Sequence, residues 1–216
     1  MYALIFANGD LNDGPAVQAL LDPTDSRLLI AADGGLRLAF QVGLTPDIVI
    51  GDMDSATPEL LSRAIAHGAA IKQFPAQKNE TDLELALIEA VHQGCDTIRV
   101  IGFLGDRIDQ TLGNIYLLSL PILRDRDVKL VNHSQTSWLA WPGETVITGN
   151  PGDTLSLIPL SGDVGNITTQ GLEYTLNHET LAFGPARGMS NVLTDTEVRF
   201  TFKSGLLLVV RTMGRA

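Results

Sequence analysis

Residues 28–55 read LLIAADGGLRLAFQVGLTPDIVIGDMDS, which predicts a strand, a helix and a second strand in succession. Leu28–Ala32 is apolar enough for a buried strand, and Asp47–Ile50 has the same character. Between them apolar residues recur at helical spacing, and Gly43 is placed to end a helix. A strand, a helix and a strand in this order form a parallel strand pair with the helix packed on one face.

The same alternation extends in both directions and covers residues 1–125. Thr57, Pro58 and Glu59 have the order of an N-cap, a first-turn proline and a first-turn acid, so a helix begins there. We therefore predict a three-layer α/β domain with a mostly parallel sheet and helices on its faces. Its other elements are strands at 3–7, 70–74 and 97–101 and helices from about 82 to 93 and 110 to 120.

Residues 126–216 lack helical periodicity and read as short strands separated by glycine and proline. Apolar and polar side chains alternate over residues 198–202, which is typical of a half-buried strand. Ser204-Gly205 then predicts a hairpin turn into the apolar run 206–210. We predict a C-terminal antiparallel β-sandwich for this half, with a small barrel as the alternative.

Composition excludes several classes of function. The chain has 25 acidic residues against 15 lysines and arginines, a net charge of −10, whereas nucleic-acid and membrane-surface binders need a cationic face. The single Cys95 excludes an internal disulfide and a cysteine-rich metal site. No apolar run approaches the ~20 residues that cross a membrane. Tyr2–Ala7 is too short for a signal peptide and lacks a basic leader, so we expect a cytoplasmic protein.

Several common catalytic chemistries lack their motif in this sequence. No Gly-Lys dipeptide occurs, so there is no Walker-type phosphate loop. No Gly-x-Ser-x-Gly nucleophile elbow occurs either. The 4 histidines are scattered, and none forms a His-x-x-x-His pair, so a zinc site is not expected.

Aspartates follow four predicted strands at the point where each strand ends. Asp33 follows the second strand, and Asp52 and Asp54 follow the third. Asp82 begins the helix after the fourth strand, and Asp109 lies after the fifth. Because α/β proteins bind ligands beyond the carboxyl ends of their strands, we expect these carboxylates to lie together at one edge of the sheet.

Asp52 and Asp54 carry the metal hypothesis. In an extended chain residues two apart share a face, with Cα atoms about 6.5 Å apart, which suits two carboxylates around one hydrated Mg²⁺. Two like charges about 4 Å apart repel by about 4 kcal/mol at an effective dielectric of about 20, so clustered carboxylates facing a polyphosphate require a cation. A single aspartate at a strand end is more often a turn residue, and it is the set that favours the metal.

Glycines and bases at the same sheet edge point to a phosphate ligand. Asn8-Gly9, Gly34-Gly35 and Gly102-x-x-Gly105 would let backbone N–H groups approach phosphate oxygens. Lys78 and Arg107 are suited to pairing with phosphate, although exposed surface charge is the alternative for each. Together with the aspartates they predict a Mg²⁺-dependent enzyme that handles phosphate groups.

Short motifs with a fixed order run along both halves of the chain. The first half contains Asn8-Gly9-Asp10, Ala32-Asp33-Gly34-Gly35, Gly51-Asp52-Met53-Asp54-Ser55, Lys78-x-Glu-Thr-Asp82 and Gly105-x-Arg107-x-Asp109-Gln110. The second half contains Asn132-His-Ser-Gln135, Pro142-Gly143, Gly171-Leu-Glu-Tyr174-x-Leu176 and Ser190-Asn191. In this order and spacing the motifs resemble those of the thiamine pyrophosphokinase family over nearly the whole chain.

The resemblance implies transfer of a pyrophosphoryl group from ATP to thiamine, giving thiamine diphosphate and AMP. It also implies an α/β domain that binds Mg·ATP, a β-sandwich, and a homodimer with thiamine near the subunit interface. By position, the catalytic residues are Asp33, Asp52, Asp54 and Asp82, of which Asp52, Asp54 and Asp82 hold Mg²⁺. The nucleotide contacts are Asn8, Gly9, Gly34, Lys78, Thr81, Arg107, Asp109 and Gln110. The thiamine contacts are Tyr174, Ser190 and Asn191.

Two positions depart from the family pattern, and two roles stay open. Tyr174 stands where animal members carry Trp, and Asp106 stands where Gly is frequent. Tyr174 would stack on the thiazolium cation by a cation–π contact, with a buried core tyrosine as the alternative. Either Asp54 or Asp82 would accept the proton of the thiamine hydroxyl.

Three rival functions fit parts of the same pattern. A pyrophosphokinase with another acceptor, such as a hydroxymethylpterin, would keep the aspartates and change only the second half. A glycosyltransferase would use Asp52-x-Asp54 on a nucleotide sugar but leave the other motifs unexplained. A nucleotide-sensing module would bind Mg·ATP without producing AMP.

Overall fold

The computed structural model describes residues 1–21 and 26–215, which form two units, Met1–His133 and Ser134–Ala216. The first unit is α/β and the second is built of antiparallel strands, as the sequence predicts. No helix within the described residues is long and apolar enough to cross a membrane.

A parallel sheet forms the centre of the first unit. Its strands among the described residues are β1 (Tyr2–Phe6), β2 (Leu28–Ala32), β3 (Ile48–Gly51), β4 (Ala70–Gln73), β5 (Thr97–Ile101) and β6 (Asp127–Asn132). They lie in the order β6-β5-β1-β2-β3-β4, and every neighbouring pair is parallel. The central strands are almost continuously buried, which is typical of a parallel sheet covered on both faces.

Helices connect these strands. They are α1 (Pro15–Gln18), α2 (Gly35–Gln41), α3 (Pro58–Ala66), α4 (Asp82–His92) and α5 (Ile108–Tyr116). The predicted start of α3 is confirmed, because the Thr57 side chain accepts a hydrogen bond from the Leu60 N–H. The predicted last helix, 110–120, is displaced: α5 runs from Ile108 to Tyr116, a 3₁₀ helix follows over Leu117–Ser119, and a second begins at Pro121. Leu120, directly before Pro121, has ψ 129°, because a proline disfavours helical backbone in the residue before it.

The boundary between the units lies between His133 and Ser134 rather than between residues 125 and 126. Residues 127–132 form β6, which pairs in parallel with β5 from Thr97↔Asp127 onward and therefore belongs to the α/β unit. The loss of helical periodicity after residue 125 marks the last helix of this unit and not its last strand.

The second unit is a sandwich of two antiparallel sheets. Its strands are β7 (Gln135–Ala140), β8 (Gly143–Thr148), β9 (Thr154–Pro159), β10 (Val164–Gln170), β11 (Glu179–Leu181), β12 (Asn191–Val192), β13 (Glu197–Phe202) and β14 (Leu207–Thr212). One layer has the order β12-β9-β14-β7 and the other β11-β10-β13-β8. Both layers contribute to one apolar core, with Leu157 and Val209 from the first and Phe200 from the second.

The predicted hairpin at Ser204-Gly205 is wrong. β13 pairs with β8 and β10, whereas β14 pairs with β7 and β9, so the chain crosses from one layer to the other at this turn. Gly205 has φ +89°, and a Cβ there would lie 2.6 Å from the Asp163 carbonyl oxygen. Val198, Phe200 and Phe202 of β13 and Leu207 and Val209 of β14 nevertheless lie in the same core.

A buried carboxylate ties the end of the second unit to its sheet. Asp153 is 3% exposed, and its Oδ2 accepts hydrogen bonds from Arg211 Nε at 3.0 Å and Arg211 Nη2 at 2.6 Å. The Asn150 N–H at 3.1 Å and the Gly214 N–H at 2.8 Å also donate to this carboxylate. Burial alone would raise the pKa of Asp153, but the two backbone hydrogen bonds and Arg211 outweigh it and lower the pKa.

We expect Asp153→Ala to lower the free energy of unfolding by about 3 kcal/mol at pH 7, because it leaves the partly buried Arg211 charge without its carboxylate. The measurement is urea unfolding of the full chain, with the exposed Asp125→Ala as control. A lowered carboxyl pKa stabilises above the unfolded pKa of about 3.9, so the difference should vanish as pH falls through the folded pKa. A loss no greater than that of the control would contradict this role.

Candidate active site

A cleft of about 630 Å³ opens beyond the carboxyl ends of β1 to β5. Its position at this edge of the parallel sheet is where α/β proteins bind their ligands. The residues singled out from the sequence that line it are Asn8, Gly9, Asp33, Asp52, Asp54, Lys78, Thr81, Asp82, Arg107 and Gln110. Gly34 and Asp109 are not among the lining residues.

Three carboxylates meet in this cleft. Asp33, Asp52 and Asp82 each offer an oxygen atom, and these atoms lie within 4.8 Å of one another. Asp54 lines the cleft but lies outside this group, although the sequence points to Asp54 rather than Asp33 as a metal ligand. Like charges this close repel strongly unless a cation lies between them.

The chain turns sharply between Asp52 and Asp54. Met53 has φ +67°, so the expected extended Asp52-Met53-Asp54 conformation is wrong. The Asp54 N–H donates to Asp52 Oδ1 at 3.3 Å across this turn. Asp54 Oδ1 accepts instead from the Ser55 hydroxyl at 3.0 Å.

Asp33 is the most buried member of the group, at 2% exposure, and its backbone is left-handed with φ +44°. Its Oδ2 accepts from the Ser55 N–H at 3.1 Å, while its buried Oδ1 has no hydrogen-bond partner among the described residues. Burial raises the pKa of Asp33, and the negative charges of Asp82 and Asp54 raise it further. The hydrogen bonds from Ser55 lower this pKa but do not outweigh the other effects. A buried, unpaired carboxylate oxygen is costly, and a cation would stabilise it.

Gly51, which precedes Asp52, makes room for the group. A Cβ at this position would lie 2.9 Å from Asp33 Cβ and 2.9 Å from Asp82 Oδ1. Gly51 also has φ +148°, which side chains rarely adopt. Only glycine therefore lets the two carboxylates converge. The sequence analysis missed this role. The signal that could have indicated it is a glycine at the end of an apolar strand.

Lys78 lies among the carboxylates. Its Nζ is 3.2 Å from Asp52 Oδ2 and 2.8 Å from Asp82 Oδ1, and its side chain is 10% exposed. Burial alone would lower the pKa of Lys78, but the hydrogen bonds to Asp82 and Asp52 outweigh it and raise the pKa. Burial would likewise raise the pKa of Asp52, but Lys78 and the Asp54 N–H lower it. Lys78 thus supplies positive charge to two acids of the group.

The start of α4 positions Asp82. The Thr81 hydroxyl oxygen accepts from the Glu84 N–H at 3.2 Å and caps the helix. Asp82 is consequently the first helical residue, where the helix dipole favours a negative charge. Thr81 lines the cleft, but this bond gives its hydroxyl a structural task as well.

Gly9 and Gly34 serve the packing of the loops at this edge of the sheet. The sequence suggested that the Gly9 N–H approaches a phosphate oxygen. In the structure it donates to the Gly102 carbonyl at 2.7 Å and is not free to do so. The Asp10 N–H donates to the Leu104 carbonyl at 2.7 Å and joins the same two loops. A Cβ on Gly34 would lie 2.2 Å from Asn8 Oδ1, so Gly34 makes room for the Asn8 side chain.

Asp109 does not join the carboxylate group, contrary to the sequence-based expectation. It pairs with Arg107 at 2.5 Å across the first turn of α5, and both side chains are 67% exposed. Arg107 and Gln110 reach the cleft from the same turn.

Arg37 is a cleft residue that no motif indicated. It follows the Gly34-Gly35 turn on α2, its Nη2 donates to the Gly9 carbonyl at 3.1 Å, and it lines the cleft. Among the described lining residues seven are acidic, namely Asp10, Asp33, Asp52, Asp54, Glu80, Asp82 and Asp106. The cationic ones are Arg37, Lys78 and Arg107. The cleft is therefore strongly acidic, and a polyanion would enter it only together with a cation.

The three remaining residues lie together in the second unit. Tyr174 is 66% exposed, which excludes the alternative of a core tyrosine. The Tyr174 N–H donates to Asn191 Oδ1 at 3.0 Å, and Asn191 Nδ2 donates to the Tyr174 carbonyl at 2.7 Å. Ser190 has a left-handed backbone with φ +55°, and its N–H donates to the Ser156 hydroxyl at 3.0 Å.

Comparisons with known proteins agree in both units. The family model "Thiamin pyrophosphokinase, catalytic domain" matches residues 22–131, and "Thiamin pyrophosphokinase, vitamin B1 binding domain" matches residues 144–207. The thiamine pyrophosphokinase of Bacillus subtilis (strain 168) is 31% identical over 209 residues, 96% of this chain and 97% of that protein. The crystal structure of thiamine pyrophosphokinase from Bacillus subtilis gives a TM-score of 0.86 at 30% identity over 99% of both chains. The one from Geobacillus thermodenitrificans gives 0.83 at 26% identity, covering 100% of this chain and 99% of its own.

We expect Lys78→Met to lower the free energy of unfolding by about 1–3 kcal/mol at pH 7 in buffer with a chelator, because it removes the charge that offsets Asp52 and Asp82. Urea unfolding measures the loss. Since Lys78 lowers the pKa of Asp52, the difference should be present above pH ~4 and vanish as pH falls through the folded pKa.

The matched control is Lys78→Met combined with Asp52→Asn, which should recover part of the stability. Equal stability of Lys78→Met and the unmodified protein at pH 7 would show that the carboxylates do not need this charge.

Proposed function

The chain belongs to the thiamine pyrophosphokinase family, and on that premise we propose that its acidic cleft binds Mg·ATP and delivers a pyrophosphoryl group to thiamine. The enzyme is a pyrophosphotransferase whose product is thiamine diphosphate. The observation that carries the assignment of the cleft is the group of Asp33, Asp52 and Asp82, with its unpaired Asp33 Oδ1.

The proposed reaction joins an alcohol to a phosphorus atom and needs no protein nucleophile. The thiamine hydroxyl oxygen forms a bond to the β-phosphorus of ATP, and the bond from that phosphorus to the oxygen shared with the α-phosphorus breaks. AMP leaves with this oxygen, and the hydroxyl proton passes to a base. Such transfers depend on positioning and on charge neutralisation, which agrees with the lack of serine, cysteine and histidine nucleophile motifs.

Asp33, Asp52 and Asp82 are the proposed Mg²⁺ ligands. The fit is supported by three carboxylate oxygens within 4.8 Å and by a buried oxygen without a partner, since Mg²⁺ prefers oxygen ligands. When bound by these residues, Mg²⁺ would offset the negative charge of the phosphates and of the cleft. Gly51 keeps the space in which Asp33 and Asp82 converge.

Asp54 is the proposed acceptor of the hydroxyl proton. Of the two candidates from the sequence, Asp82 belongs to the three-carboxylate group and is paired with Lys78, whereas Asp54 lies outside it in the same cleft. The Ser55 hydroxyl donates to Asp54 Oδ1 and orients the side chain. A base must reach the reacting hydroxyl while other acids hold the metal, and this arrangement supports that division.

The basic side chains that line the cleft are the proposed phosphate contacts. Lys78 reaches from the loop before α4, Arg37 from α2 and Arg107 from the start of α5. Asn8 and Gln110 line the cleft as neutral hydrogen-bonding residues. Arg37 thereby joins the contacts that the sequence identified.

Tyr174 is the proposed stacking platform for the thiazolium ring. Its 66% exposure leaves the aromatic face open to a ligand, and it lies within the match to the vitamin B1 binding domain. A cation over an aromatic face gains about 0.5–2 kcal/mol. Ser190 is the proposed polar contact with thiamine nearby.

The homodimer and the cytoplasmic location stay predictions.

The rival functions have less support. A pterin acceptor conflicts with the match of residues 144–207 to a vitamin B1 binding domain. A nucleotide-sugar transferase and a nucleotide-sensing module both conflict with membership of a pyrophosphokinase family.

The test is chromatography of the products formed from ATP, Mg²⁺ and thiamine, and we expect thiamine diphosphate and AMP in equal amounts. Asp82→Asn should lower kcat/KM by about 100-fold or more and raise the Mg²⁺ concentration needed for half-maximal rate. Asp54→Asn should lower kcat by about 100-fold without changing that Mg²⁺ concentration. The exposed Asp125→Ala is the control and should leave both quantities unchanged.

Each other outcome contradicts a distinct part of the proposal. Release of ADP would contradict pyrophosphoryl transfer, and turnover without a divalent cation would contradict the metal. A shift in Mg²⁺ dependence for Asp54→Asn but not for Asp82→Asn would reverse their roles.

For the thiamine site, we expect Tyr174→Leu to raise the KM for thiamine by about 2–30-fold, because the cation–π contact is lost. Tyr174→Phe keeps the aromatic face and should stay within about 3-fold of the unmodified enzyme. Steady-state kinetics at saturating ATP measure both variants, and the KM for ATP is the internal control. An equal loss for Phe and Leu would assign the role to the hydroxyl.

A further inference from the structure

The segment that carries Tyr174 is held by an antiparallel ladder to the segment beginning at Asn191. The Thr194 N–H donates to the Gly171 carbonyl at 2.9 Å, and the Glu173 N–H donates to the Val192 carbonyl at 2.9 Å. Leu172 and Leu193 pair across this ladder, and both are buried. Tyr174 is thus the next residue beyond two backbone rungs.

At Tyr174 a side chain takes over the backbone pairing. Asn191 Oδ1 accepts the Tyr174 N–H at 3.0 Å, and Asn191 Nδ2 donates to the Tyr174 carbonyl at 2.7 Å. In an antiparallel pair two opposed residues exchange both N–H···O bonds, and here the carboxamide supplies both atoms of one partner. It therefore acts as an extra peptide group at the end of the ladder.

These bonds occupy most of what the carboxamide can offer. Its oxygen has two lone pairs, and the second accepts the Val192 N–H at 2.9 Å. One of the two N–H bonds of Nδ2 points to the Tyr174 carbonyl. The acceptor side of Asn191 is thus fully used within the protein, which does not fit a residue that mainly contacts a ligand.

The exposed ring of Tyr174 depends on its backbone for its position. Beyond it, Leu176 is buried, its N–H donates to the Thr169 hydroxyl at 2.9 Å, and its carbonyl accepts the Thr169 N–H at 3.0 Å. Between Leu176 and the ladder, the Asn191 carboxamide fixes both backbone polar groups of Tyr174. With 66% of the residue exposed, packing contributes little to fixing the ring.

We propose that Asn191 is a positioning residue for thiamine, acting through the backbone of Tyr174 and not by contact with the substrate. The inference rests on the proposed function of Tyr174 as the thiazolium platform. The family resemblance implies that Asn191 contacts thiamine. In this proposal Asn191 contributes to the affinity for thiamine by ordering the Tyr174 ring and not by a hydrogen bond to thiamine.

The test is a double-mutant cycle on the KM for thiamine with Asn191→Ala, Tyr174→Ala and the double variant. Residues that act through one another give non-additive effects. We expect Asn191→Ala to raise this KM by about 3–10-fold, and the double variant to match Tyr174→Ala alone within about 2-fold. The KM for ATP should stay unchanged in all three variants. Multiplication of the two single effects would overturn the inference, because it would indicate an independent contact with thiamine.

Controls separate this result from unfolding and from failure of the proposed function. Glu144→Gln removes an exposed ion pair with Arg199 on the other layer. Alone it should leave the KM for thiamine unchanged, and combined with Tyr174→Ala it should give the KM of Tyr174→Ala. Circular dichroism checks folding, and if Asn191→Ala is unfolded, Asn191→Ser takes its place in the cycle. An unmodified enzyme that makes no thiamine diphosphate would contradict the proposed function, whereas an active enzyme with multiplicative effects would contradict only the role of Asn191.

Discussion

Repulsion among Asp33, Asp52 and Asp82 is the constraint on which the cleft depends, because their oxygens lie within 4.8 Å at one edge of the sheet. Separate strand ends and the start of α4 bring them there, so the fold fixes their proximity before any ligand binds. Several local features make this crowding tolerable. Gly51 leaves space where a side chain would collide, and Lys78 lies between two of the acids.

The same constraint sets the chemistry. An acidic cleft accepts a triphosphate only with a cation, and the carboxylates that repel one another without a metal are the ligands that a metal requires. The turn at Met53 takes Asp54 out of this group, and we propose Asp54 as the acceptor of the hydroxyl proton. The second unit contributes a different kind of site, an exposed aromatic ring on a backbone held by a side-chain amide. Charge thus governs the proposed nucleotide site, and backbone order governs the proposed thiamine site.

The sequence predicts much of this arrangement, because apolar strands and capped helices are recognisable from their sequence patterns. The parallel topology then places residues such as Asp33 at the carboxyl edge of the sheet. The sequence does not predict which acids converge, because that depends on the positive φ of Met53, and no propensity of methionine indicates such a turn. The crossover at Ser204-Gly205 is not predicted either, because two strands on either side of one turn fit a hairpin and a change of layer equally well. The sequence does not predict that Arg37 lines the cleft, because this depends on where the loop that contains Gly9 lies in space.

The most direct test of the carboxylate group is the position of a bound metal. Crystals grown with Mn²⁺ and a non-hydrolysable ATP analogue would show the ion by its anomalous scattering. We expect a peak coordinated by Asp33, Asp52 and Asp82, with the Asp54 side chain outside the coordination sphere. A peak held by Asp52 and Asp54 without Asp33, or no peak in the cleft at all, would contradict it.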